Sequence, residues 1–92
     1  MGVRFKARLE VKNVIQIPRV IRWQHKLEPG QVFKVWVKLA EAIGGGEGFY
    51  GRMRRDGRLT IPRLAIGILC RNYEVKSLVG EVFEVSLEPA EA

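Results

Sequence analysis

An internal repeat constrains the fold of this 92-residue chain more than any other feature of its sequence. The tripeptide Ile-Pro-Arg occurs twice, at residues 17–19 and 61–63, each time after a short run of aliphatic residues. A shift of 44 positions aligns these two sites. Beyond the second proline the shift becomes 50, and residues 30–35 then align with residues 80–85. A repetition of this kind indicates two copies of one structural unit.

The repeat divides the chain into two units joined by a glycine-rich segment. Repeat 1 covers residues 1–39, and repeat 2 covers residues 49–92 and carries six extra residues. Residues 40–48 contain consecutive glycines, which cost too much conformational entropy inside a strand or helix, so this segment is predicted to be a linker. Neither unit is large enough to bury its apolar face alone, and we therefore expect a single domain around one core.

Each repeat predicts the order strand, turn, strand, short helix, strand. Apolar and charged residues alternate over residues 3–12, which is typical of a half-buried strand. The pairs Lys-Asn at 12–13 and Asp-Gly at 56–57 predict the turns that follow the first strands. Each proline starts a short helix, because it cannot donate to a strand ladder but suits a first helical turn. We expect these helices at residues 18–27 and 62–70.

Six strands and two short helices place the chain in the all-β class. Two half-units that bury their apolar faces together, without exposed strand edges, predict a closed six-stranded barrel with a pseudo-two-fold axis. The alternation of side chains along the first strands predicts that Phe5 and Phe49 point into the core. The charged residues between the apolar positions are then expected to point outward.

The motifs of both repeats resemble those of transition-state regulators of the AbrB and SpoVT type. Residues 56–69, DGRLTIPRLAIGIL, resemble the family's corner of hairpin Gly-Arg, aliphatic residues, Ile-Pro and short helix, and residues 17–35 resemble the part that follows. Two such half-units in one chain imply a cradle-loop barrel, with the RIFT type favoured and the swapped-hairpin type second. The family's Gly-Asp corner is Gly-Gln at 30–31 and Gly-Glu at 80–81 here.

The charge distribution favours a polyanionic partner. The formal net charge is +6, and a basic surface of this kind can neutralise several phosphates. The resemblance implies DNA contacts by hairpin arginines, here Arg8, Arg52 and Arg58. We therefore expect a non-enzymatic nucleic-acid-binding module, an AbrB-like DNA-binding or transcription regulator that binds double-stranded DNA. The predicted contact residues are Arg4, Lys6, Arg8, Arg52, Arg54, Arg55, Arg58, Lys34, Trp36 and Lys38.

The last strands of the two repeats carry charges of opposite sign, which disfavours symmetric binding of DNA by both repeats. Lys34 and Lys38 of repeat 1 have Glu84 and Glu88 as their counterparts in repeat 2. Two interpretations follow. Either one side of the molecule alone binds nucleic acid, or the opposite faces attract each other in a head-to-tail assembly, in which Trp36 would supply apolar contact.

Two other functions stay open. The linker glycines Gly45, Gly46 and Gly48 could let backbone N–H groups approach a phosphate, as in a small-ligand or nucleotide-binding barrel. The segment GGGEGFYG loosely resembles the glycine-rich loop of archaeal CTP-dependent riboflavin kinases, which are RIFT-type barrels. A pure protein-interaction module, such as the antidote half of a toxin pair, is the third hypothesis.

Catalytic, metal and membrane functions find no support in the sequence. His25 is the sole histidine, and no Ser/His/Asp, Cys/His or paired-carboxylate arrangement is evident. The single cysteine, Cys70, excludes an internal disulfide and a Cys-based zinc site, so we expect no metal and no cofactor. No apolar run approaches the roughly 20 residues of a membrane span. We expect a cytoplasmic protein that is monomeric or weakly homo-oligomeric and has no membrane partner.

Overall fold

The computed structural model describes residues 2–90, and its secondary structure consists of strands and two short helices. The strands are β1 Val3–Arg8, β2 Val14–Gln16, β3 Val32–Leu39, β4 Glu47–Arg52, β5 Arg58–Thr60 and β6 Val82–Pro89. The helices are α1 Arg19–Gln24 and α2 Arg63–Tyr73. The expectation of a mostly β chain with short helices is therefore confirmed.

The strands form two antiparallel sheets. Four of them pair in the order β1-β6-β3-β4, and β2 pairs with β5 in a second, two-stranded sheet. An isolated bridge between Glu10 and Val14 joins the end of β1 to the start of β2. Over residues 2–90, the two sheets are not closed into one continuous hydrogen-bonded barrel.

The strand register is symmetric about two residue pairs. Trp36 of β3 lies opposite Ser86 of β6, and Ile15 of β2 lies opposite Leu59 of β5. The two residues of each pair hold the same place in their repeats. Trp36 and Ser86 are 50 positions apart, and Ile15 and Leu59 are 44 positions apart, which are the shifts that align the two repeats. A two-fold rotation through both pairs exchanges β1 with β4, so these two strands lie at opposite edges of the four-stranded sheet.

The apolar faces of both sheets meet in one core. Its largest fully buried side chains are Phe33, Phe83, Leu9, Ile15, Ile17, Met53, Leu59, Ile61, Leu69, Leu87, Val35 and Val37. Phe5 and Phe49 are half-buried and pack against this cluster, so they face the interior as the alternation predicted. No polar or charged residue of the described chain is buried, which is the arrangement expected when the hydrophobic effect drives folding.

The alternation of β1 ends earlier than the sequence pattern predicted. Val11 is 72% exposed instead of facing the core. The chain reverses here, since Lys12 and Asn13 adopt positive φ angles of 67° and 60°. The turn predicted at these two residues is present, and it rotates Val11 out of the strand.

The two helices differ in length from the prediction in opposite directions. Helix α1 ends at Gln24, and Lys26, two residues later, has a positive φ of 54°. Helix α2 continues to Tyr73, and the next residue, Glu74, takes a left-handed cap conformation. Most of the six extra residues of repeat 2 therefore lengthen α2. Neither helix of the described chain has the length and apolar content needed to cross a membrane.

Candidate nucleic-acid interface

Strands β1 and β3 carry six of the predicted contact residues on the outer face of the four-stranded sheet. Arg4, Lys6 and Arg8 project from β1, and Lys34, Trp36 and Lys38 project from β3. Two strands separate β1 from β4, which places their axes about 14 Å apart at a strand spacing of roughly 4.8 Å. The two basic first strands are thus not neighbours, and the predicted contact set is divided over the sheet.

Acidic side chains of β6 lie between the cations of β1 and β3. Glu84 is opposite Lys6 on one side and opposite Lys38 on the other. Lys38 Nζ lies 3.7 Å from Glu84 Oε1 and donates hydrogen bonds to the carbonyl oxygens of Leu39 and Ala42. Glu88 stands opposite Lys34 in the same way. The opposite charges of the two last strands are therefore matched within one sheet, which removes the reason to expect a head-to-tail assembly.

The tip of the β4–β5 hairpin presents exposed arginines beside α1. Arg54 and Arg55 are exposed, and the hairpin is closed by hydrogen bonds from Arg54 N to Arg58 O and from Gly57 N to Arg54 O, both 2.9 Å long. Gly57 has a φ of +83°, and an ideal β-carbon there would lie 2.5 Å from Cζ of Arg22. Glycine is required at this turn by both its conformation and the guanidinium that covers it.

Backbone contacts fix the hairpin against the loop that follows α1. Gly30 N donates to Met53 O at 2.8 Å, Met53 N donates to Gln31 O at 2.9 Å, and Arg52 Nη1 donates to Gly30 O at 3.0 Å. On α1, Arg22 Nε donates to Ile17 O at 3.2 Å. These bonds hold the helix, the loop and the hairpin as one surface.

We call this surface the basic end, and it consists of Arg19, Arg22, Lys26, Arg52, Arg54 and Arg55. A groove of about 520 Å³ crosses it, lined in part by Arg19, Arg22, Lys26 and the 79% exposed Trp23. Glu28 is an acidic residue in the same groove. None of the six cations forms an ion pair within residues 2–90, so their charges are available to an anionic partner.

The opposite end of the molecule lacks this charge. The pseudo-two-fold relates five members of the basic end to Arg63, Ile66, Arg8, Glu10 and Val11. Those counterparts include only two cations, one acid and two apolar residues. The two ends of the molecule therefore differ in charge, and the cations are concentrated at the basic end.

The guanidinium of Arg58 is paired with two carboxylates. Its Nη1 lies 3.1 Å from Asp56 Oδ2, and its Nε lies 3.5 Å from Glu10 Oε1 without hydrogen-bond geometry. Loss of solvent around the Asp56 carboxyl raises its pKa, but the hydrogen bond from Arg58 N and the charges of Arg58 and Arg54 outweigh this and hold the pKa below the usual 3.8. Arg58 thus stabilises the turn and links it to the segment between β1 and β2, with its charge paired to these carboxylates.

The glycines of the predicted linker are packed against neighbouring side chains. Gly44 O accepts a hydrogen bond from the Tyr73 hydroxyl at 2.9 Å, and Gly45 O accepts one from Asn72 Nδ2 at 3.0 Å. Gly46 and Gly48 lie against the indole ring of Trp36. β4 begins at Glu47, inside the predicted linker. Close packing explains Gly45, Gly46 and Gly48, and the positive φ of 79° explains Gly44.

Sequence reasoning did not include four residues of the groove at the basic end among the predicted contacts: Arg19, Arg22, Trp23 and Lys26. The spacing of Arg19 and Arg22, three residues apart on a helix, places both side chains on one helix face and was an available signal. The proximity of the β4–β5 hairpin to that face was not available, because it depends on contacts between distant parts of the chain.

Comparison with known proteins supports the fold alone. No family model matches the chain, and no curated protein matches it. The structure is similar to the solution structure of PHS018 from Pyrococcus horikoshii, with a TM-score of 0.73 and 24% sequence identity over 94% of this chain and 88% of that chain. The likeness extends over nearly the whole chain and shows a shared β-rich architecture. In the described part, no group of three His, Cys, Asp or Glu side chains could hold a metal ion.

Proposed function

We propose that the protein is a non-enzymatic nucleic-acid-binding module that contacts double-stranded DNA through the basic end. The observation that carries this proposal is a set of six unpaired cations on elements that backbone hydrogen bonds hold together. Cations held in place bind a phosphate backbone at a lower entropic cost than cations on a mobile loop. The one-sided charge favours contact by one end of the molecule.

Binding of this kind gives a definite salt dependence. Each phosphate neutralised releases condensed counterions, so log K falls against log salt with a slope of about −0.9 per contact. If all six cations contact phosphates, the slope is roughly −5. A regulator of the AbrB type would bind DNA in this way, and the motifs at both Ile-Pro corners favour such a role for this chain.

We also propose that the two sheets form a pseudo-two-fold cradle-loop barrel of the RIFT type. The bridge between Glu10 and Val14 connects the sheets at one corner, and the β2–β5 pair lies on the same symmetry axis as the β3–β6 pair. One shared core supports this proposal. Cytoplasmic location and a monomeric or weakly oligomeric state stay predictions from the sequence.

The experiment compares two variants that remove equal charge from different surfaces. Arg54→Ala with Arg55→Ala removes two cations from the basic end, and Arg4→Ala with Lys6→Ala removes two from the β1 edge. Fluorescence anisotropy with a labelled duplex at several salt concentrations measures both affinity and slope. We expect the first variant to weaken binding and to reduce the slope by about 2, and the second to change either quantity much less.

Equal effects of both variants would show that net charge alone matters and would contradict a site at the basic end. An absence of duplex binding by the unaltered protein even at low salt would contradict the proposed function itself.

A further inference from the structure

An aromatic groove lies on the outer face of the four-stranded sheet, apart from the α1 groove of the basic end. It has a volume of about 400 Å³ and lies between Trp36 of β3 and Tyr50 of β4. Lys34, Ser86 and Glu88 line it as well. Its size falls within the range of roughly 300–1,000 Å³ that is usual for ligand pockets.

The indole ring of Trp36 lies against two glycines, Gly46 just before β4 and Gly48 within it. An ideal β-carbon at Gly46 would lie 2.8 Å from Cε2 and Cζ2 of the ring, and one at Gly48 would lie 3.3 Å from Cε3. The ring therefore lies across the backbone of these glycines, where any side chain would displace it. Half of the Trp36 surface stays exposed, and Tyr50 is 68% exposed beside it. Two aromatic side chains with open surface thus border the groove.

The charges around the groove favour an anionic ligand. Lys34 lines the groove, and Arg4 lies opposite Ser86 in the neighbouring strand. Arg52 follows Tyr50 by two residues and is exposed on the same strand. The lining itself carries one cation, Lys34, and one acid, Glu88. Arg4 and Arg52 add positive charge beside the groove, and Glu84 of β6 is the nearby acid outside the lining. Exposed aromatic rings flanked by cations are the arrangement that stacks unpaired bases and attracts their phosphates.

We propose that this groove stacks an unpaired base of a single-stranded nucleic acid between Trp36 and Tyr50. The inference rests on the proposed function for the class of its ligand, and it adds a second site with a different recognition mode. Arg52 belongs to the basic end and also flanks Tyr50, so a bound strand can continue from the groove to the basic end.

The test uses three labelled ligands: a short oligothymidine, an abasic oligonucleotide of the same length, and a blunt duplex. We expect Trp36→Ala and Tyr50→Ala each to weaken oligothymidine binding roughly 5- to 150-fold. Both variants bind the abasic strand and the duplex as the unaltered protein does, because neither ligand offers an unpaired base. Leu64→Ala, which removes a 79% exposed apolar side chain from α2 outside both grooves, is the matched control and leaves oligothymidine binding unchanged.

A second measurement keeps the test valid if removal of the Trp36 ring disturbs the fold. In a Trp23→Phe background Trp36 is the sole tryptophan, and stacking of a base quenches its fluorescence. Quenching by oligothymidine but not by the abasic strand supports the inference. Equal binding of both single strands, or equal quenching of Trp36 by both, would overturn it. If the unaltered protein binds oligothymidine but not the duplex, this result would contradict the proposed function and still support base stacking in the groove.

Discussion

Substitution of Gly57 by alanine tests whether the β4–β5 turn and helix α1 are coupled as the structure shows. Gly57 is buried and has a φ of +83°. A non-glycine residue in this region of φ costs about 1–2 kcal/mol. The new β-carbon would also lie 2.5 Å from Cζ of Arg22, so the guanidinium must move.

The second cost follows from what Arg22 loses when it moves. The guanidinium is the free end of a flexible side chain, and its Nε donates a hydrogen bond to Ile17 O at 3.2 Å. Loss of one such bond costs about 1 kcal/mol. The total destabilisation of Gly57→Ala is therefore about 2–3 kcal/mol, a large part of the 5–15 kcal/mol that stabilises an ordinary small domain.

Urea denaturation followed by circular dichroism measures this free energy of unfolding, and Gly80→Ala is the matched control. Gly80 has a similar φ of +92°, but nothing lies within 4 Å of its ideal β-carbon. Only the backbone cost of about 1–2 kcal/mol applies there. We expect Gly57→Ala to exceed Gly80→Ala by about 1 kcal/mol.

A double-mutant cycle separates the two costs. In an Arg22→Ala background the guanidinium is absent, so Gly57→Ala should cost no more than Gly80→Ala. If the excess persists in that background, or if the two glycine substitutions cost the same in the unaltered chain, the proposed contact between the turn and α1 is refuted.

Two further predictions concern packing and pH. Leu69→Ala should lower the free energy of unfolding by about 2–5 kcal/mol, because Leu69 is fully buried. Leu64→Ala on the same helix should change it by less than about 0.5 kcal/mol, since Leu64 is 79% exposed. Because folding lowers the pKa of Asp56, ionised Asp56 stabilises the protein above a pH near the carboxyl's usual 3.8, and this contribution is lost as the pH falls through the lower folded value. Asp56→Asn should therefore lower the Tm at pH 7 and have little effect at pH 2, and equal effects at both values would contradict the role of the Asp56–Arg58 pair.

Local features of the chain were predictable because they depend on neighbouring residues. Both helices begin within one residue of the predicted starts, at Arg19 and Arg63, with Pro18 and Pro62 at the N-cap positions. The turn at Lys12 and Asn13 was predicted correctly as well. Helix ends were predicted less well, since α2 ends at Tyr73 and not three residues earlier. The left-handed cap that stops a helix can be formed by several residue types, so the sequence pattern specifies it weakly.

The candidate site was only partly predictable. The arginines of the β4–β5 hairpin were identified from charge and motif, and Arg58 among them is paired with carboxylates. The three cations of the α1 side, Arg19, Arg22 and Lys26, were overlooked. The basic strands β1 and β4 were expected to form one basic surface through positions related by a two-fold axis. The pairing of β6 between β1 and β3 places acidic residues among those cations instead.

The sequence by itself determined the all-β class, the repeated order of elements and the outward direction of the charged residues. These properties follow from side-chain alternation, proline and glycine, which act over a few residues. Only the tertiary structure decided which strands are neighbours, which cations are free, and that Trp36 lies on Gly46 and Gly48. Such contacts join residues far apart in the chain, and their partners are selected by the packing of the whole core.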